Sequence, residues 1–264
     1  PDMRAVEAAV DSIAPHLAPG NLVIIESTSP VGTTDKAAAR LKTLRPDLTF
    51  PTERPERSDI MMAYCPERVL PGRTLLELVD NSRLVGGLDQ RSAQCGRELY
   101  KTFVRADVVL TQARVAEFAK LAENAYRDVN IAFANELSLA CHKLGVDVWS
   151  VIRLANLHPR VNILSPGAGV GGHCIPLDPW FIHHAAPDVT PLIRTARQVN
   201  TAKTQWVAQQ IMAAAARFKE PRIALLGLTY KADIDDLRES PAMEIAEVLA
   251  QKRAGRLLLV EPYV

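Results

Sequence analysis

Cys174 lies in the setting that most suggests chemistry, because it follows a run of glycines in the segment GVGGHCIPLD at 169–178. Glycines let a backbone approach a ligand closely and adopt positive φ at little steric cost. A substrate can reach a thiol in such a loop, and Asp178 can position a water or share a proton there. The pattern is typical of covalent cysteine catalysis. It also fits a glycine turn before a buried cysteine, since cysteine often serves as a small apolar core residue.

Hydroxyl side chains gather where a predicted strand turns into a helix. The apolar run at 21–27 predicts a buried parallel strand, and the polar segment STSPVGTT at 27–34 precedes a helix from about Asp35 to Leu44. Ligands of open α/β sheets bind at the carboxyl ends of strands, where hydroxyls and helix-start amides suit an anion or a reacting oxygen. An ordinary Ser or Thr N-cap accounts for the same residues equally well.

A third polar group lies on one long predicted helix, 112–144. Glu117, Lys120 and Asn124 stand at i, i+3 and i+7, so they share a face that is otherwise apolar. A lysine and an asparagine on such a face can polarise a carbonyl oxygen. The spacing by itself nevertheless favours a solvated helix edge. The same helix carries apolar residues on more than one stripe, including Ile131, Leu139 and Leu144, which predicts a homodimer with this helix at its interface. Alternatively, the helices predicted at 146–154 and 192–216 cover both stripes within one chain.

The loop before the last predicted helix, 242–251, carries two cations, Lys231 and Arg238. Ser240 before Pro241 is typical of an N-cap with proline in the first turn. Cations near a helix start can hold a phosphate. Alternatively, this loop is a charged surface whose cations pair with its own aspartates.

The element pattern predicts an α/β protein of three parts. Residues 1–110 alternate strands and helices, which indicates a partial Rossmann-like domain with a parallel sheet. Residues 111–205 are mainly helical, and residues 206–264 begin a second Rossmann-like domain. The predicted strands are 21–27, 61–65, 84–87, 108–110, 222–228 and 257–260, and the predicted helices include 92–103, 112–144, 146–154, 178–184, 192–216 and 242–251.

Composition limits the function classes. The net charge is +1 over 264 residues, so no broad basic surface for nucleic acid is expected. No apolar run is long enough to cross a membrane. The cysteines lie far apart, which argues against a disulfide framework and for a reducing, cytoplasmic location. They are Cys65, Cys95, Cys141 and Cys174. A zinc site on His173, Cys174 and His183 is disfavoured by the ligand spacing, so we expect no metal.

Several segments, in the same order along the chain, resemble the UDP-glucose/GDP-mannose dehydrogenase family. These are NAD-dependent enzymes that oxidise a sugar-nucleotide alcohol to a carboxylate in two hydride transfers. The matching segments are STSPVGT at 27–33, Pro66-Glu67, Lys120 with Asn124, GGHC at 171–174 with Asp178, and Lys231 with DDLRESP at 235–241. Three further segments resemble the branch that oxidises UDP-N-acetyl-D-mannosamine: CPERVLPG at 65–72, HPRVNIL at 158–164 and DPWF at 178–181.

The resemblance implies a role for each matching residue. Cys174 is implied as the nucleophile that forms a thiohemiacetal and then a thioester, while Lys120 and Asn124 stabilise the developing oxyanion. The residues implied to handle water and protons are Thr28, Glu67 and Asp178. The implied cofactor contacts are Ser27, Thr28, Pro30 and Arg238. The implied substrate contacts are Glu67, Arg68, Lys120, Asn124, Gly171, Lys231 and, from a neighbouring subunit, Arg160.

Two departures bear on the substrate. Leu177 stands where family members often carry lysine, and Pro71 lies near the position of a second glutamate in enzymes that use UDP-glucose. Both weaken UDP-glucose as the substrate, although UDP-glucose or another UDP-hexose stays an alternative. No G-x-G-x-x-G fingerprint lies between a predicted strand and a predicted helix in residues 1–110, and the ends of the sequence look cut from a longer protein. A binding and dimerisation module without activity is therefore a further alternative to a dimeric, NAD-using UDP-sugar dehydrogenase.

Overall fold

The computed structural model describes residues 2–69 and 74–263, and the predicted departure at Pro71 lies outside them. The chain forms two compact units, residues 1–122 and 123–264. We describe each unit by itself. Among the described residues, no helix is both long and apolar enough to cross a membrane.

The first unit is a four-stranded sheet with helices against it. Its strands, in sheet order, are β1 (Leu22–Ile25), β2 (Met61–Tyr64), β3 (Arg83–Gly87) and β4 (Val108–Gln112). Its helices are α1 (Arg4–Ile13), α2 (Thr33–Leu44), α3 (Thr74–Asp80) and α4 (Gln90–Lys101), followed by the start of α5 (Ala113–Leu144). All four residues of β2 are buried, as a continuous apolar run predicts for a central strand.

Helix α4 packs closely on β3 because it carries Gly96. A Cβ on Gly96 would lie 2.6 Å from Cγ1 of Val85, well inside van der Waals contact. The missing side chain therefore sets the distance between this helix and the sheet.

The sheet is mixed, so the prediction of a parallel sheet was wrong in part. β1 pairs with β2 in parallel and β3 pairs with β4 in parallel, but β2 and β3 run antiparallel through two residue pairs, Ala63 with Gly87 and Tyr64 with Gly86. β3 therefore begins at the same end of the sheet at which β2 finishes. A parallel pairing would need a connection that returns to the opposite end of the strands, and α3, with seven residues, is short for that purpose.

The second unit combines long helices with a two-stranded parallel sheet. Its helices are the remainder of α5, then α6 (Val148–Ala155), α7 (Asp178–Ala185), α8 (Pro191–Ala215) and α9 (Pro241–Gln251). Its strands are β5 (Arg222–Leu226) and β6 (Arg256–Val260). Gly145 follows α5 with φ +68°, a conformation that favours glycine at a helix end. The predicted N-cap is confirmed, because the Ser240 hydroxyl accepts the N–H of Met243.

Candidate active site

A buried carboxylate from α5 holds the loop that follows β1. The N–H groups of Gly32 and Thr34 donate to the Glu117 carboxylate at 2.5 and 2.8 Å, and the Thr34 hydroxyl donates to it at 2.7 Å. Glu117 is fully buried, so the interpretation of this residue as a solvated helix edge was wrong. The start of α2 is capped, though by Glu117 rather than by Ser or Thr. These two amides are therefore engaged and not available to an anion.

The ends of β1 and β2 lie side by side and bring two groups of predicted residues to one edge. The N–H of Glu67 donates to the carbonyl of Glu26 at 3.3 Å, which joins the loop after β2 to the loop after β1. Glu67 itself is exposed, and its carboxylate accepts the N–H of Val69. Arg68 is half-buried and donates to the carbonyl of Ser82 at 3.4 Å.

The loop after β1 fits one part of a dinucleotide site. Ser27 is exposed and Thr28 half-buried, and within the described residues neither hydroxyl makes a hydrogen bond. Pro30 lies two residues further on, and its carbonyl accepts the N–H of Thr33 at 3.2 Å. These groups can contact a bound NAD, but no G-x-G-x-x-G turn for its pyrophosphate follows a strand among the described residues of the first unit. The residues present therefore fit the cofactor on one side only.

Cys65 and Cys174 differ in their surroundings. Cys65 is fully buried in the core of the first unit, and burial raises the pKa of its thiol. Burial likewise raises the pKa of the neighbouring Tyr100 phenol, which donates to Glu26 at 2.5 Å. Cys174 is only half-buried, in the second unit. The reactive form of cysteine is the thiolate, which burial disfavours, so Cys65 serves as a core residue and Cys174 stays the candidate nucleophile.

The cysteine loop, residues 167–174, packs tightly against the side chain of Tyr230. A Cβ on Gly171 would lie 2.5 Å from Cβ of Tyr230, and one on Gly172 would lie 2.9 Å from Cε2 of the same ring. Gly172 also has φ +84° and donates its N–H to the carbonyl of Arg238 at 3.1 Å. The glycines are needed here so that the backbone can pack on Tyr230. The approach of a ligand is not required to explain them.

Cys174 stands at the start of α7. Its carbonyl accepts the N–H groups of Leu177 and Asp178 at 3.1 and 2.9 Å, which fixes its backbone to the first turn of that helix. Asp178 is buried, and Nδ2 of Asn124 donates to its Oδ2 at 2.5 Å. Asn124 is therefore also a buried residue and not part of a solvated edge. The structure thus joins Asn124 on α5 to Asp178 in the first turn of α7, and it joins Asp178 to the backbone of Cys174 four residues before it.

The loop before α9 follows the alternative interpretation, a cation paired with its own aspartate. The side chain of Arg238 donates to Asp236 from Nε to Oδ1 at 2.9 Å and to Oδ2 at 3.1 Å, and from Nη2 to Oδ2 at 2.6 Å. This partner holds the pKa of the Asp236 carboxyl at about 2, below its ordinary value. Lys231 is exposed. The Nη1 group of Arg238 takes no part in these bonds to Asp236.

Two further predicted site residues, Lys120 and Arg160, lie on α5 and in the segment after α6. Lys120 is half-buried, one turn after Glu117. Arg160 is exposed in the segment after α6. The side chain of Asn156 pins that segment by bonding both the N–H and the carbonyl of Ile163.

Sequence reasoning missed a buried polar chain between α5 and α8. Asp128 accepts hydrogen bonds from Arg197 at 2.6 Å and from Asn200 at 2.8 Å, and Asn135 donates to Asn200 at 2.8 Å. Burial raises the pKa of Asp128 in spite of the Arg197 guanidinium beside it. The signal was available, since Asp128 and Asn135 lie four and eleven residues after Asn124, on the same helix face. Within the described residues, no three His, Cys, Asp or Glu side chains are placed to hold a metal.

Three domain models of one family match the chain. The NAD-binding domain model of the UDP-glucose/GDP-mannose dehydrogenase family matches residues 1–104, the central domain model residues 114–202 and the UDP-binding domain model residues 224–264. The chain belongs to the UDP-glucose/GDP-mannose dehydrogenase family. The predicted family and its cofactor, NAD, are confirmed.

Named relatives are close and longer than this chain. The chain is 56% identical to an NDP-N-acetyl-D-galactosaminuronic acid dehydrogenase from Ralstonia nicotianae and covers 62% of it. It is also 56% identical to a UDP-N-acetyl-D-mannosamine dehydrogenase from Escherichia coli and covers 65% of it. Both alignments include the whole chain, which thus spans less than two thirds of these relatives.

A solved structure confirms the fold class. The UDP-D-ManNAc dehydrogenase from Pyrococcus horikoshii superposes with a TM-score of 0.90 at 43% identity, over 100% of this chain and 62% of that one. The α/β architecture with Rossmann-like sheets and a long central helix is thus that of a UDP-sugar dehydrogenase.

Proposed function

We propose that this chain carries the cysteine site of an NAD-dependent dehydrogenase that oxidises UDP-N-acetyl-D-mannosamine at C6 to the uronate. The observation that carries the proposal is the position of Cys174, a half-buried thiol at the start of α7 beside Asp178, whose carboxylate Asn124 holds at 2.5 Å. The proposed domains are 1–110, 111–205 and 206–264, and the ranges of the three family models support this division. The cytoplasmic location stays a prediction.

The chain's residues account for the covalent part of the reaction. The Cys174 thiol adds to the C6 aldehyde, so that a C–S bond forms and the thiol proton moves to the former carbonyl oxygen. Loss of a hydride from C6 and of the proton from the hydroxyl of this thiohemiacetal leaves a thioester. Attack of water then breaks the C–S bond, releasing the carboxylate and returning the thiol. NAD supplies the acceptor of both hydrides when it is bound.

Two groups on α5 are assigned to the oxygen at C6. Lys120 and Asn124 are four residues apart on this helix, and a cation and an amide donor stabilise negative charge on an oxygen in the transition state. The hydrogen bond from Asn124 fixes one oxygen of Asp178. Asp178 is proposed, together with Thr28 and Glu67, to handle the water that attacks the thioester.

Substrate contacts are proposed for the edge residue Arg68, for Gly171 and for Lys231, and a cofactor contact is proposed for Arg238, which lies with Lys231 in the loop before α9. A phosphate would be attracted to the last two by charge. Arg160 is proposed to reach the site of a second subunit in a homodimer. Ser27, Thr28 and Pro30 are proposed to contact NAD at the edge beside β1.

The galacto-configured N-acetylhexosamine is a second candidate substrate. The relative from Ralstonia nicotianae, named for N-acetyl-D-galactosaminuronic acid, is as similar to this chain as the relative named for N-acetyl-D-mannosamine. Both names specify an N-acetylated sugar, which supports an amino sugar over UDP-glucose. A binding and dimerisation module without enzymatic activity is the alternative to a dehydrogenase.

The test measures NADH and uronate with three substrates: UDP-N-acetyl-D-mannosamine, UDP-N-acetyl-D-galactosamine and UDP-glucose. It uses this chain and, in parallel, a version extended to the length of its relatives. We expect two NADH for each mannosamine sugar consumed. Cys174→Ser should abolish uronate, whereas Cys95→Ser, at a half-buried thiol of the first unit, should not. Uronate formed at the normal rate by Cys174→Ser would exclude the covalent role.

A second pair of variants tests the oxyanion role. Loss of one donor to a developing oxyanion costs about 10²- to 10³-fold in rate, so Lys120→Ala should lower kcat by that factor with a smaller change in KM. Lys143→Ala, at an exposed lysine of the same helix, is the control. A change confined to KM would contradict the assignment. If the extended protein neither binds NAD nor turns over any of the sugars, the module interpretation is correct.

A further inference from the structure

A directional chain of buried side chains leads from the α5–α8 interface to the cysteine loop. At one end, Asn200 donates to the carboxylate and the carbonyl of Asp128 at 2.8 and 3.1 Å. At the other end, Oδ1 of Asn135 accepts the N–H of Gly167 at 2.9 Å. Between them, Nδ2 of Asn135 donates to Oδ1 of Asn200 at 2.8 Å. Three helical residues are thus linked to the backbone at which the cysteine loop begins.

The two ends of this chain fix the orientation of both amides. A carboxylate can only accept, so the Nδ2 group of Asn200 must face Asp128 and its oxygen must face Asn135. A backbone N–H can only donate, so the oxygen of Asn135 must face Gly167 and its Nδ2 must face Asn200. Each amide therefore has one possible orientation, and the position of the Gly167 N–H is set by groups on α5 and α8.

Stability alone does not explain these residues. Asn135 and Asp128 are fully buried, and Asn200 is 1% exposed. Oδ2 of Asp128 and Nε of Arg197 are buried without a hydrogen-bond partner among the described residues. Apolar side chains of similar size often replace buried ionic groups with no loss of stability. An arrangement that leaves such atoms unpaired therefore indicates a role other than stability. This chain of hydrogen bonds leaves the α5–α8 interface at the contact between Asn135 and Gly167.

The backbone between Gly167 and Cys174 has little freedom to absorb a shift. A Cβ on Gly169 would lie 2.4 Å from Oγ1 of Thr204 and 3.0 Å from Cγ of Pro241, so this residue fills the space between α8 and α9. Gly172 is fixed further on by its bond to the Arg238 carbonyl. A displacement at Gly167 is consequently passed along the loop towards the thiol.

We propose that Asn135 is a positioning residue for Cys174, acting through the N–H of Gly167. Asn135 touches neither the thiol nor any group assigned to the substrate. Its amide holds the start of the cysteine loop, and the half-buried state of the thiol depends on that hold. Only the catalytic consequence of this role rests on the function proposed above, because the reactivity of the thiol can be measured without turnover.

The test is the rate constant for alkylation of Cys174 by iodoacetamide, followed by mass spectrometry of the peptide that contains it. Asn135→Ala removes both amide bonds and should raise this rate constant at least about threefold, because the loosened loop exposes the thiol. Asn130→Ala is the matched control, since that amide lies on the same helix and donates only to the carbonyl of Tyr126. Its rate constant should equal that of the unmodified chain.

Ala134→Gly separates positioning from stability. This change weakens α5 beside Asn135 but removes no hydrogen bond to the loop. It should lower the melting temperature and leave the alkylation rate unchanged well below that temperature. A rate within twofold of the unmodified chain in Asn135→Ala, a decrease there, or an equal rise in Ala134→Gly overturns the proposal.

Hydrogen exchange in the unmodified chain keeps the proposal testable if Asn135→Ala does not fold. The Gly167 amide should exchange at least about tenfold more slowly than that of the nearby exposed Ser165. Equal exchange rates would show that Asn135 does not hold the loop. Inactivity of the extended enzyme with an unchanged alkylation pattern would instead refute the proposed function and leave this role intact.

Discussion

Replacing Glu117 by alanine should destabilise the first unit severely. The carboxylate of Glu117 is fully buried and accepts three hydrogen bonds, two from backbone N–H groups and one from a hydroxyl, all at the start of α2. Glu117→Ala leaves the N–H groups of Gly32 and Thr34 buried without an acceptor. It also removes a negative charge from a helix N-terminus, where such a charge is favourable.

The magnitude follows from the number and kind of these bonds. A hydrogen bond to a charged group contributes about 1.5–3 kcal/mol, but three bonds to one carboxylate are not additive. We expect a loss of about 3–5 kcal/mol in the free energy of unfolding, the range found when one partner of a buried charged group is removed. For a unit of this size that corresponds to a fall in Tm of roughly 10–20 °C. Glu117→Gln keeps one carbonyl acceptor and should lose about 1–2 kcal/mol.

The assay follows thermal unfolding by circular dichroism and by tryptophan fluorescence. All three tryptophans, Trp149, Trp180 and Trp206, lie in the second unit, so the change should appear in the circular dichroism first. Glu136→Ala is the control, since Glu136 is exposed on the same helix. A loss below about 1 kcal/mol for Glu117→Ala would refute the reasoning, because the amides at α2 would then have found water or another acceptor.

Two further predictions concern the surface. The Arg238 guanidinium lowers the pKa of the Asp236 carboxyl from 3.8 to about 2, so the stabilisation is complete above the ordinary value and is lost as the pH falls through about 2. Arg238→Gln should return the carboxyl pKa, measured by NMR titration, towards 3.8, and an unchanged pKa would contradict the pairing. α5 exposes Tyr126 and Phe133, seven residues apart on one face, at 70% and 55%. If α5 forms the predicted homodimer seam, Phe133→Glu should shift the sedimentation mass from dimer to monomer, whereas a monomeric unmodified chain would refute the dimer.

The elements of the fold were predictable from local patterns. The apolar run at β2, the helical spacing of α5 and the Ser240–Pro241 start of α9 each rest on interactions within one segment, and the structure contains all three. The direction of β3 was not predictable in this way. Whether a strand runs parallel or antiparallel depends on which edge the connecting segment returns to, and no residue pattern in β2 or β3 encodes that.

The sequence suggests candidate site residues where reactivity singles them out, as for Cys174 and Asp178 in a glycine-rich segment, and their catalytic roles stay predictions. The burial of the polar residues on α5 was not predictable, because helical spacing places Glu117 and Asn124 on one face but does not show which residues cover that face. A solvated edge is the commoner arrangement for such residues. Only the partners, an amide pair at α2 for Glu117 and the Asp178 carboxylate for Asn124, show that both are buried.

The buried polar face of α5 explains why this helix carries so many residues that helix propensity and core packing would not select. Glu117, Asn124, Asp128 and Asn135 recur at intervals of seven, four and seven residues, each is at most 6% exposed, and each bonds a group outside the helix. Three of these residues bond a group at the start of another segment. Glu117 accepts backbone N–H groups at the start of α2, Asn135 accepts a backbone N–H at the start of the cysteine loop, and Asn124 donates to a carboxylate at the start of α7. A loop end that is fixed by a hydrogen bond has one position, whereas one that rests on apolar contacts can slide. The cost of burying polar groups on α5 is thus offset by a defined geometry where the candidate chemistry begins, which is the arrangement that catalysis by a positioned thiol requires.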